Sequence, residues 1–268
     1  MTYFTFLLIF VIVPIVAVSL VLWFTRKTPV SDHFEFRLVF IGIAVHVFLA
    51  LTYTTPWDNY LVATGVWSYN PRLVTGIVIG YVPIEEYTFF IVETILSGLV
   101  WWLIARDLRV KQVAPSVYNK RINIFSALVL ALFWVFFTYQ FFFGSEQWNY
   151  MGIIFFWALP PIITQALFGA DLLWYYRKLV FWAIVIPGTY LSLTDIIALR
   201  ATTWQISPTQ TLSLNIFGIL PLEEVSFFFV TNGLITLGMT LMLSKEGQQR
   251  LKGVLGLVAK VRREKIEN

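Results

Sequence analysis

Residues 81–90 read Tyr-Val-Pro-Ile-Glu-Glu-Tyr-Thr-Phe-Phe, and residues 219–228 read Ile-Leu-Pro-Leu-Glu-Glu-Val-Ser-Phe-Phe. The two stretches share Pro-x-Glu-Glu and a following Phe-Phe, lie 138 positions apart, and each opens a long apolar run. Carboxyl groups are expensive beside lipid, so acids at the head of an apolar segment indicate a functional site. Two copies of this arrangement predict a site built between two related halves of the chain.

The composition is that of an integral membrane protein. Of the 268 residues, 58% are apolar and only 13% are charged, about half the charged share of a soluble domain. The absence of cysteine excludes disulfides and thiolate ligands, and two histidines leave little for a metal centre, so we expect no metal. Seven of the nineteen Lys and Arg residues follow residue 244, which indicates a membrane-surface anchor rather than nucleic-acid binding.

Seven apolar stretches meet or approach the roughly 20 residues that a helix needs to cross a bilayer. They are Tyr3–Phe24, Leu38–Thr54, Tyr81–Ala105, Ile122–Phe143, Tyr150–Tyr175, Leu179–Leu193 and Phe217–Leu243. The first stretch lacks a positive region before it and a small-residue cleavage site after it, so we expect a retained helix rather than a signal peptide. The predicted fold class is an all-α polytopic membrane protein with seven transmembrane helices and no strand pattern.

The basic residues predict the orientation of the chain. With the N-terminus outside, the inner segments hold 17 Lys and Arg residues, and the outer segments hold Arg72 and Arg200. This bias favours a cell-membrane protein with an outer N-terminus and a cytoplasmic C-terminus. Residues 73–82 lead into the first Glu-Glu stretch and are too apolar for an ordinary loop. We therefore expect a re-entrant or interfacial segment there, covered by protein or a cavity.

Further similarities extend the duplication over the whole chain. Trp-Phe-Thr-Arg-Lys at 23–27 resembles Trp-Tyr-Tyr-Arg-Lys at 174–178, and Asp58 has a counterpart in Asp195. Two three-helix units joined by one extra helix are parallel repeats about an axis along the membrane normal, which places both Glu pairs at the outer level. The predicted units are residues 1–105 as the first repeat, 106–145 as a connector helix, 146–243 as the second repeat and 244–268 as a basic amphipathic tail.

Helical geometry separates the two acids of each pair, because residues at i+4, i+7, i+8 and i+11 share a face. The face of Glu86 carries Glu93, and the face of Glu224 carries Asn232, whereas the faces of the first acids are less polar. The second acid is therefore predicted to point into the bundle, and the first to support it or cap the helix. The predicted catalytic residues are Glu86, Glu224, Glu85 and Glu223.

Clustered buried carboxyl groups suit acid–base chemistry, because burial disfavours the charged form and can leave a proton donor beside an ionised acceptor. The abundant aromatic rings could stabilise a carbocation formed on an apolar substrate. Asp58 and Asp195 fall at predicted loop edges, His46 lies within span two, and Asp171 is expected to be structural. The predicted supporting residues are Glu93, Asn232, Asp58, Asp195 and His46.

At both intact motifs, Pro83–Glu86 and Pro221–Glu224, the chain resembles the membrane lycopene cyclases of the heterodimeric bacterial type and their single-chain fusions. The resemblance implies conversion of linear lycopene to β-rings by protonation, carbocation ring closure and deprotonation, without net redox change. It implies no flavin or nicotinamide cofactor, in agreement with the lack of a dinucleotide-binding motif. The implied partners are lycopene and the lipid bilayer, and an assembly of identical chains stays open. The predicted substrate-contacting residues are Phe89, Phe90, Phe227 and Phe228.

Two alternatives share the hydropathy pattern. A seven-helix retinal photoreceptor needs a Schiff-base lysine in its last helix, and residues 217–243 contain none. A proton-coupled membrane transporter also uses repeats and intramembrane carboxylates, and stays open at this stage.

Overall fold

The computed structural model describes residues 1–27, 31–108, 119–254 and 256. This part of the chain contains seven helices that are long and apolar enough to cross a membrane. They are α1 Tyr3–Phe24, α2 Phe36–Ala63, α3 Ile84–Arg106, α4 Lys120–Phe143, α5 Glu146–Tyr175, α6 Arg177–Arg200 and α7 Leu222–Leu243. The predicted all-α membrane protein with seven spans is confirmed. The helices suit a multi-pass membrane protein.

The centre of the bundle is formed by α3 and α7. In the most apolar stretch of each of these two helices, 56% of the residues are buried. The corresponding share in α4 is 11%, and the large apolar side chains of α4 face outward. The two Glu pairs occupy the first turns of α3 and α7. The most enclosed helices therefore carry the carboxyl groups. This agrees with the rule that acids within a membrane face the interior of the helix bundle and not lipid.

Two helices extend beyond their predicted bounds, and this corrects the location of two acids. Helix α2 continues past Thr54 to Ala63, and α6 continues past Leu193 to Arg200. Asp58 and Asp195 therefore lie within helices and are buried, not at loop edges as predicted. Hydropathy ended both spans early because it counts a carboxyl group as if it faced lipid, whereas the other helices cover these two.

Short strands, which the sequence pattern did not predict, precede both Glu pairs. Strands β2 Val78–Ile79 and β3 Val82–Pro83 form a hairpin before α3, and β5 Asn215–Ile216 and β6 Leu220–Pro221 form another before α7. The first turn needs Gly80, which has a φ of 68° and leaves no space for a Cβ atom beside the Asn59 side chain. The segment expected to be re-entrant or interfacial is thus a hairpin held by Asn59 of α2. The predicted cover by protein is wrong, because the side chains of residues 77–79 are exposed.

A third strand pair joins the loop after α2 to the loop after α6. Strands β1 Trp67–Tyr69 and β4 Trp204–Ile206 are antiparallel, with Trp67 opposite Ile206 and Tyr69 opposite Trp204. Each strand therefore pairs its first residue with the last residue of the other strand, as two strands related by a two-fold axis would do. The division into two parallel three-helix repeats and a connector stays a prediction.

The C-terminal segment is held against α5. Residues 245–254 are helical, and both guanidinium nitrogens of Arg250 donate to the Asp171 carboxylate at 2.7 Å. Asp171 therefore has the structural surroundings expected of it. The rest of the predicted amphipathic tail, residues 255 and 257–268, lies outside the described residues.

Candidate active site

The first acid of each pair binds backbone. The Glu85 carboxylate accepts a hydrogen bond from the Thr75 backbone N–H at 2.6 Å, and the Glu223 carboxylate accepts one from the Leu212 N–H at 2.7 Å. Both acids are almost fully buried, and each tethers the chain that precedes its hairpin. Because the same bond occurs at both sites, we conclude that the first acid fastens the hairpin to the start of its helix.

The second acid of each pair accepts hydrogen bonds from tyrosine hydroxyl groups. Glu86 Oε2 accepts from Tyr3 at 2.6 Å and from Tyr69 at 3.0 Å. Glu224 Oε1 accepts from Tyr150 at 2.5 Å. Tyr3 begins α1 and Tyr150 lies near the start of α5, so each second acid is bound by the helix that is predicted to open its repeat.

Glu86 and Glu224 line the same small chamber at one end of the bundle. The chamber has a volume of about 30 Å³, room for about one water molecule. Asp195 is the third carboxyl group in its wall. The remaining lining residues are aromatic or otherwise weakly polar: Tyr3, Phe6, Trp67, Tyr69, Phe89, Leu191, Thr194, Trp204, Phe227 and Phe228. The chamber is therefore a small, largely aromatic space with two glutamates and one aspartate.

The two predicted supporting aspartates are not equivalent. Asp195 Oδ1 accepts a hydrogen bond from Trp204 Nε1–H at 2.9 Å. Among the described residues, both carboxyl oxygens of Asp58 are buried without a hydrogen-bond partner, and Asp58 is absent from the chamber wall. Asp58 is near enough to Glu86 for the two carboxyl groups to interact electrostatically, but of this pair Asp195 is the one that lines the chamber.

Glu93 and His46 lie in a different space. They line a second cavity of about 400 Å³ between α2, α3, α5 and α7. The Thr231 hydroxyl donates to Glu93 Oε1 at 3.0 Å, and His46 Nδ1 bonds the Gly42 carbonyl oxygen at 2.7 Å. Neither residue lines the chamber of Glu86 and Glu224, which we call the acid chamber.

Asn232 joins the two central helices. Its Oδ1 accepts from the Ser97 hydroxyl at 2.6 Å, and its Nδ2 donates to the Phe228 carbonyl oxygen at 2.7 Å. It therefore bonds α3 to α7 within the core and lines neither cavity.

The four phenylalanines that follow the motifs are all buried at the site. Phe89, Phe227 and Phe228 line the chamber, while Phe90 lines the larger cavity. Phe227 lines both spaces and so forms the wall between them. The Phe89 and Phe228 ring centroids are 6.3 Å apart in an edge-to-face arrangement that joins α3 to α7.

Sequence reasoning missed the tyrosines and the tryptophan that bind the acids. Tyr3, Tyr69, Tyr150 and Trp204 are aromatic residues near predicted membrane boundaries, where bilayer-interface packing is the ordinary explanation. One sequence feature could have indicated the two tyrosines as a pair: Tyr3 and Tyr150 both lie at the start of the first helix of a predicted repeat.

The chamber can transfer protons. Tyr69 lies outside the spans, and its burial and the neighbouring Glu86 carboxylate raise the pKa of its hydroxyl well above the ordinary value, so it acts as a donor at neutral pH. Two carboxyl groups with hydroxyl donors can release a proton to, and take one from, a molecule held between them. In the described part of the chain, no group of three or more His, Asp or Glu side chains could hold a metal ion.

Curated relatives place the chain in a family. Lycopene beta-cyclase of Halobacterium salinarum is 36% identical over 244 residues, which cover 90% of this chain and 95% of that protein. Bifunctional lycopene cyclase/phytoene synthases match a smaller share: those of Podospora anserina and Phaeosphaeria nodorum are 31% and 33% identical over 76% of this chain and 35% of their own length. No protein-family model and no solved structure matches the chain. Because the first match covers nearly all of both proteins, the chain belongs to the lycopene beta-cyclase family.

Proposed function

We propose that the chain is a lycopene beta-cyclase whose chemistry takes place in the acid chamber. The observation that carries this proposal is that Glu86 and Glu224 line one small, largely aromatic chamber. The similarity to lycopene beta-cyclase indicates the substrate, which is lycopene, a linear carotenoid with acyclic ends. The chamber supplies the two groups that such a reaction needs, a proton donor and a proton acceptor.

In the proposed mechanism, one glutamic acid protonates the terminal double bond of the substrate and leaves a tertiary carbocation. The next double bond in reach attacks this cation and closes a six-membered ring, which moves the positive charge onto the ring. The other glutamate removes a ring proton and the electron pair of that C–H bond becomes the ring double bond. One proton enters and one leaves, so the product is an isomer of the substrate and no redox partner is consumed.

The aromatic walls support this chemistry in two ways. Ring faces such as those of Phe89 and Phe228 attract positive charge, so they stabilise the cation without reacting with it. A chamber with room for about one water molecule also limits capture of the cation by water, which would give an alcohol instead of a ring.

The chamber has to widen before it can admit the end of a carotenoid, since a space of about 30 Å³ holds no more than a water molecule. Phe227 is the side chain whose movement would join the chamber to the larger cavity, because it lines both. We therefore expect substrate binding and Phe227 movement to occur together.

Expression in lycopene-accumulating bacteria tests the proposal directly. Chromatography of the extracted pigments is expected to show β-ring products at the expense of lycopene. Unchanged lycopene, with the protein present in the membrane fraction, would contradict the cyclase function. Uptake of a solute by proteoliposomes together with unchanged lycopene would favour the transporter alternative.

We also propose that the acid chamber lies near the outer surface, as the distribution of basic residues favours. The chain has no cysteine, so single cysteines can report its orientation. Ser68→Cys and Leu214→Cys lie in the loops beside the chamber, and both are expected to react with an impermeant maleimide in intact cells. Lys120→Cys, at the opposite end of α4 from that loop layer, is expected to react only after lysis. Labelling of Ser68→Cys and Leu214→Cys on opposite sides would contradict the parallel repeats.

A further inference from the structure

The larger cavity opens sideways through the wall of the bundle. Among its lining residues, Leu49 and Tyr53 of α2 are 50% and 42% exposed, and Thr164 of α5 is also exposed. Leu49 and Thr164 lie near the middle of their transmembrane helices. An opening at this level faces the hydrocarbon of the bilayer and not water.

Two consecutive prolines shape the α5 side of this opening. Pro160 and Pro161 lack the N–H groups that would bond the Phe156 and Trp157 carbonyl oxygens within the helix. Both carbonyls have partners on other helices: Trp134 Nε1–H donates to Phe156 at 3.0 Å, and the Tyr53 hydroxyl donates to Trp157 at 2.9 Å. The prolines therefore leave α5 without two of its own bonds and tie it to α4 and α2.

The link between α2 and α5 is reciprocal. Besides the Tyr53 bond, Trp157 Nε1–H donates to the Tyr53 carbonyl oxygen at 3.0 Å, and the two rings stack with centroids 5.4 Å apart. Trp157 also packs on Trp57, which in turn contacts Phe227. A continuous aromatic wall therefore runs from the lateral opening to the side chain that borders the acid chamber.

The free surface of the cavity suits a hydrocarbon. Its volume of about 400 Å³ falls within the range of ligand pockets, about 300–1,000 Å³. The Glu93 carboxylate is bonded by Thr231 and the His46 ring by a backbone carbonyl, so both have partners within the protein. Gln165 Nε2 donates to the Leu234 carbonyl oxygen, and its Oε1 is a lining acceptor without a partner among the described residues. Apolar side chains such as Leu49, Phe90 and Leu234 provide much of the remaining wall.

We infer that this cavity is the binding site for the polyene chain of the substrate, and that the substrate enters it from the bilayer between α2 and α5. The inference rests on the proposed cyclase function for the identity of the ligand. Phe227 then separates the bound polyene from the acids, and its movement lets the end of the chain reach Glu86 and Glu224. The cavity holds one part of the substrate while its reactive end occupies the chamber.

Binding is measured apart from chemistry in a Glu86→Gln, Glu224→Gln background, which prevents turnover. The purified protein in nanodiscs is titrated with lycopene, and the circular dichroism induced in the visible band of the polyene reports binding in a chiral site. Thr164→Trp and Ala50→Trp fill the cavity, and each is expected to weaken binding tenfold or more. Phe48→Trp is the matched control, because Phe48 is 64% exposed beside Leu49 and does not line the cavity.

Ala50→Leu fills less of the cavity and is expected to weaken binding less than Ala50→Trp. A loss of binding that grows with the size of the side chain indicates loss of space and not misfolding. Equal affinity in the filling variants and the control, or no induced signal in the background protein, would overturn the inference. Wild-type protein that binds lycopene through this cavity and forms no ring would overturn the proposed function and leave the binding site standing.

Discussion

The two acid pairs are bound in the same way by backbone and tyrosine groups but differ in their other donors. At both, the first glutamate accepts a backbone N–H bond ahead of its hairpin and the second accepts a tyrosine hydroxyl bond. Glu86, however, has a second hydroxyl donor in Tyr69, whereas the corresponding position in the other half is Ile206 and the further neighbour of Glu224 is the Trp67 indole N–H. The two second acids therefore have different hydrogen-bond donors, a difference that bears on the proposed division into a proton donor and a proton acceptor.

The aspartates extend this difference. Asp195 is bonded by Trp204 and reaches the chamber, while Asp58 has neither feature. The two acid pairs thus line one chamber whose two sides are chemically distinct. The comparison indicates that equivalent substitutions in the two halves will have unequal effects where the hydrogen-bond partners differ, and similar effects at the proton-transferring second acids and at the first acids, whose partners match.

The largest effect is expected at the second acids, which are proposed to transfer the protons. Glu86→Gln and Glu224→Gln each remove a carboxyl group from the chamber while keeping the side-chain shape. Loss of general acid–base catalysis lowers rates by about 10²–10⁴-fold, so either variant is expected to leave almost no ringed product. Pigment chromatography at matched membrane expression provides the measurement.

The control for these variants is Glu146→Gln, because Glu146 is exposed at the start of α5 and lies outside the chamber. It is expected to retain normal cyclisation. Full activity in both Glu86→Gln and Glu224→Gln would show that the second acids do not transfer protons.

The tyrosines test the asymmetry itself. Tyr150→Phe removes the hydroxyl donor that Glu224 has, whereas Tyr3→Phe leaves Glu86 bonded by Tyr69. A hydrogen bond to a charged group contributes about 1.5–3 kcal/mol, so Tyr150→Phe is expected to lower kcat by about 10–100-fold and Tyr3→Phe by less. Kinetics in nanodiscs at equal protein amounts measure the difference.

If the Tyr3→Phe, Tyr69→Phe double variant loses as much activity as Tyr150→Phe, the second donor explains the inequality between the halves. Equal losses in the two single variants would contradict that explanation.

A smaller effect is expected at the first acids. Glu85→Gln and Glu223→Gln keep an oxygen that can accept the backbone N–H bond but remove its charge. We expect a loss of about 1 kcal/mol in stability and an activity loss of less than about tenfold, similar in both halves. Thermal unfolding in detergent and pigment analysis provide the two readouts. A collapse of activity as deep as in Glu86→Gln, with unchanged unfolding, would give the first acids a direct chemical role.

The smallest effect is expected at Asp58. Its carboxyl oxygens are buried without hydrogen-bond partners, so Asp58→Asn removes a poorly compensated group and is expected to leave stability unchanged or raise it by up to about 1 kcal/mol. Asp195→Asn changes a chamber wall and the bond from Trp204, and is expected to slow turnover severalfold. Thermal unfolding and turnover are measured on both variants. Greater loss of activity in Asp58→Asn than in Asp195→Asn would reverse the ranking.

The sequence predicted the number of spans and the placement of both acid pairs at the heads of α3 and α7. It predicted also that the two acids of a pair face different ways, because adjacent residues on a helix point about 100° apart. It did not predict the length of α2 and α6, since hydropathy cannot tell whether Asp58 or Asp195 is covered by another helix. Nor did it predict the hairpins, whose strands are only two residues long.

What the amino-acid sequence determined by itself is the membrane class, the duplicated motif and the acids to examine first, because these depend on local composition and spacing. Only the tertiary structure decided which groups meet. Tyr3 reaches Glu86 from 83 residues away, Tyr150 reaches Glu224 from 74, and Thr231 reaches Glu93 from 138. These contacts depend on how seven helices pack, and hydropathy and helical periodicity describe each helix without its neighbours.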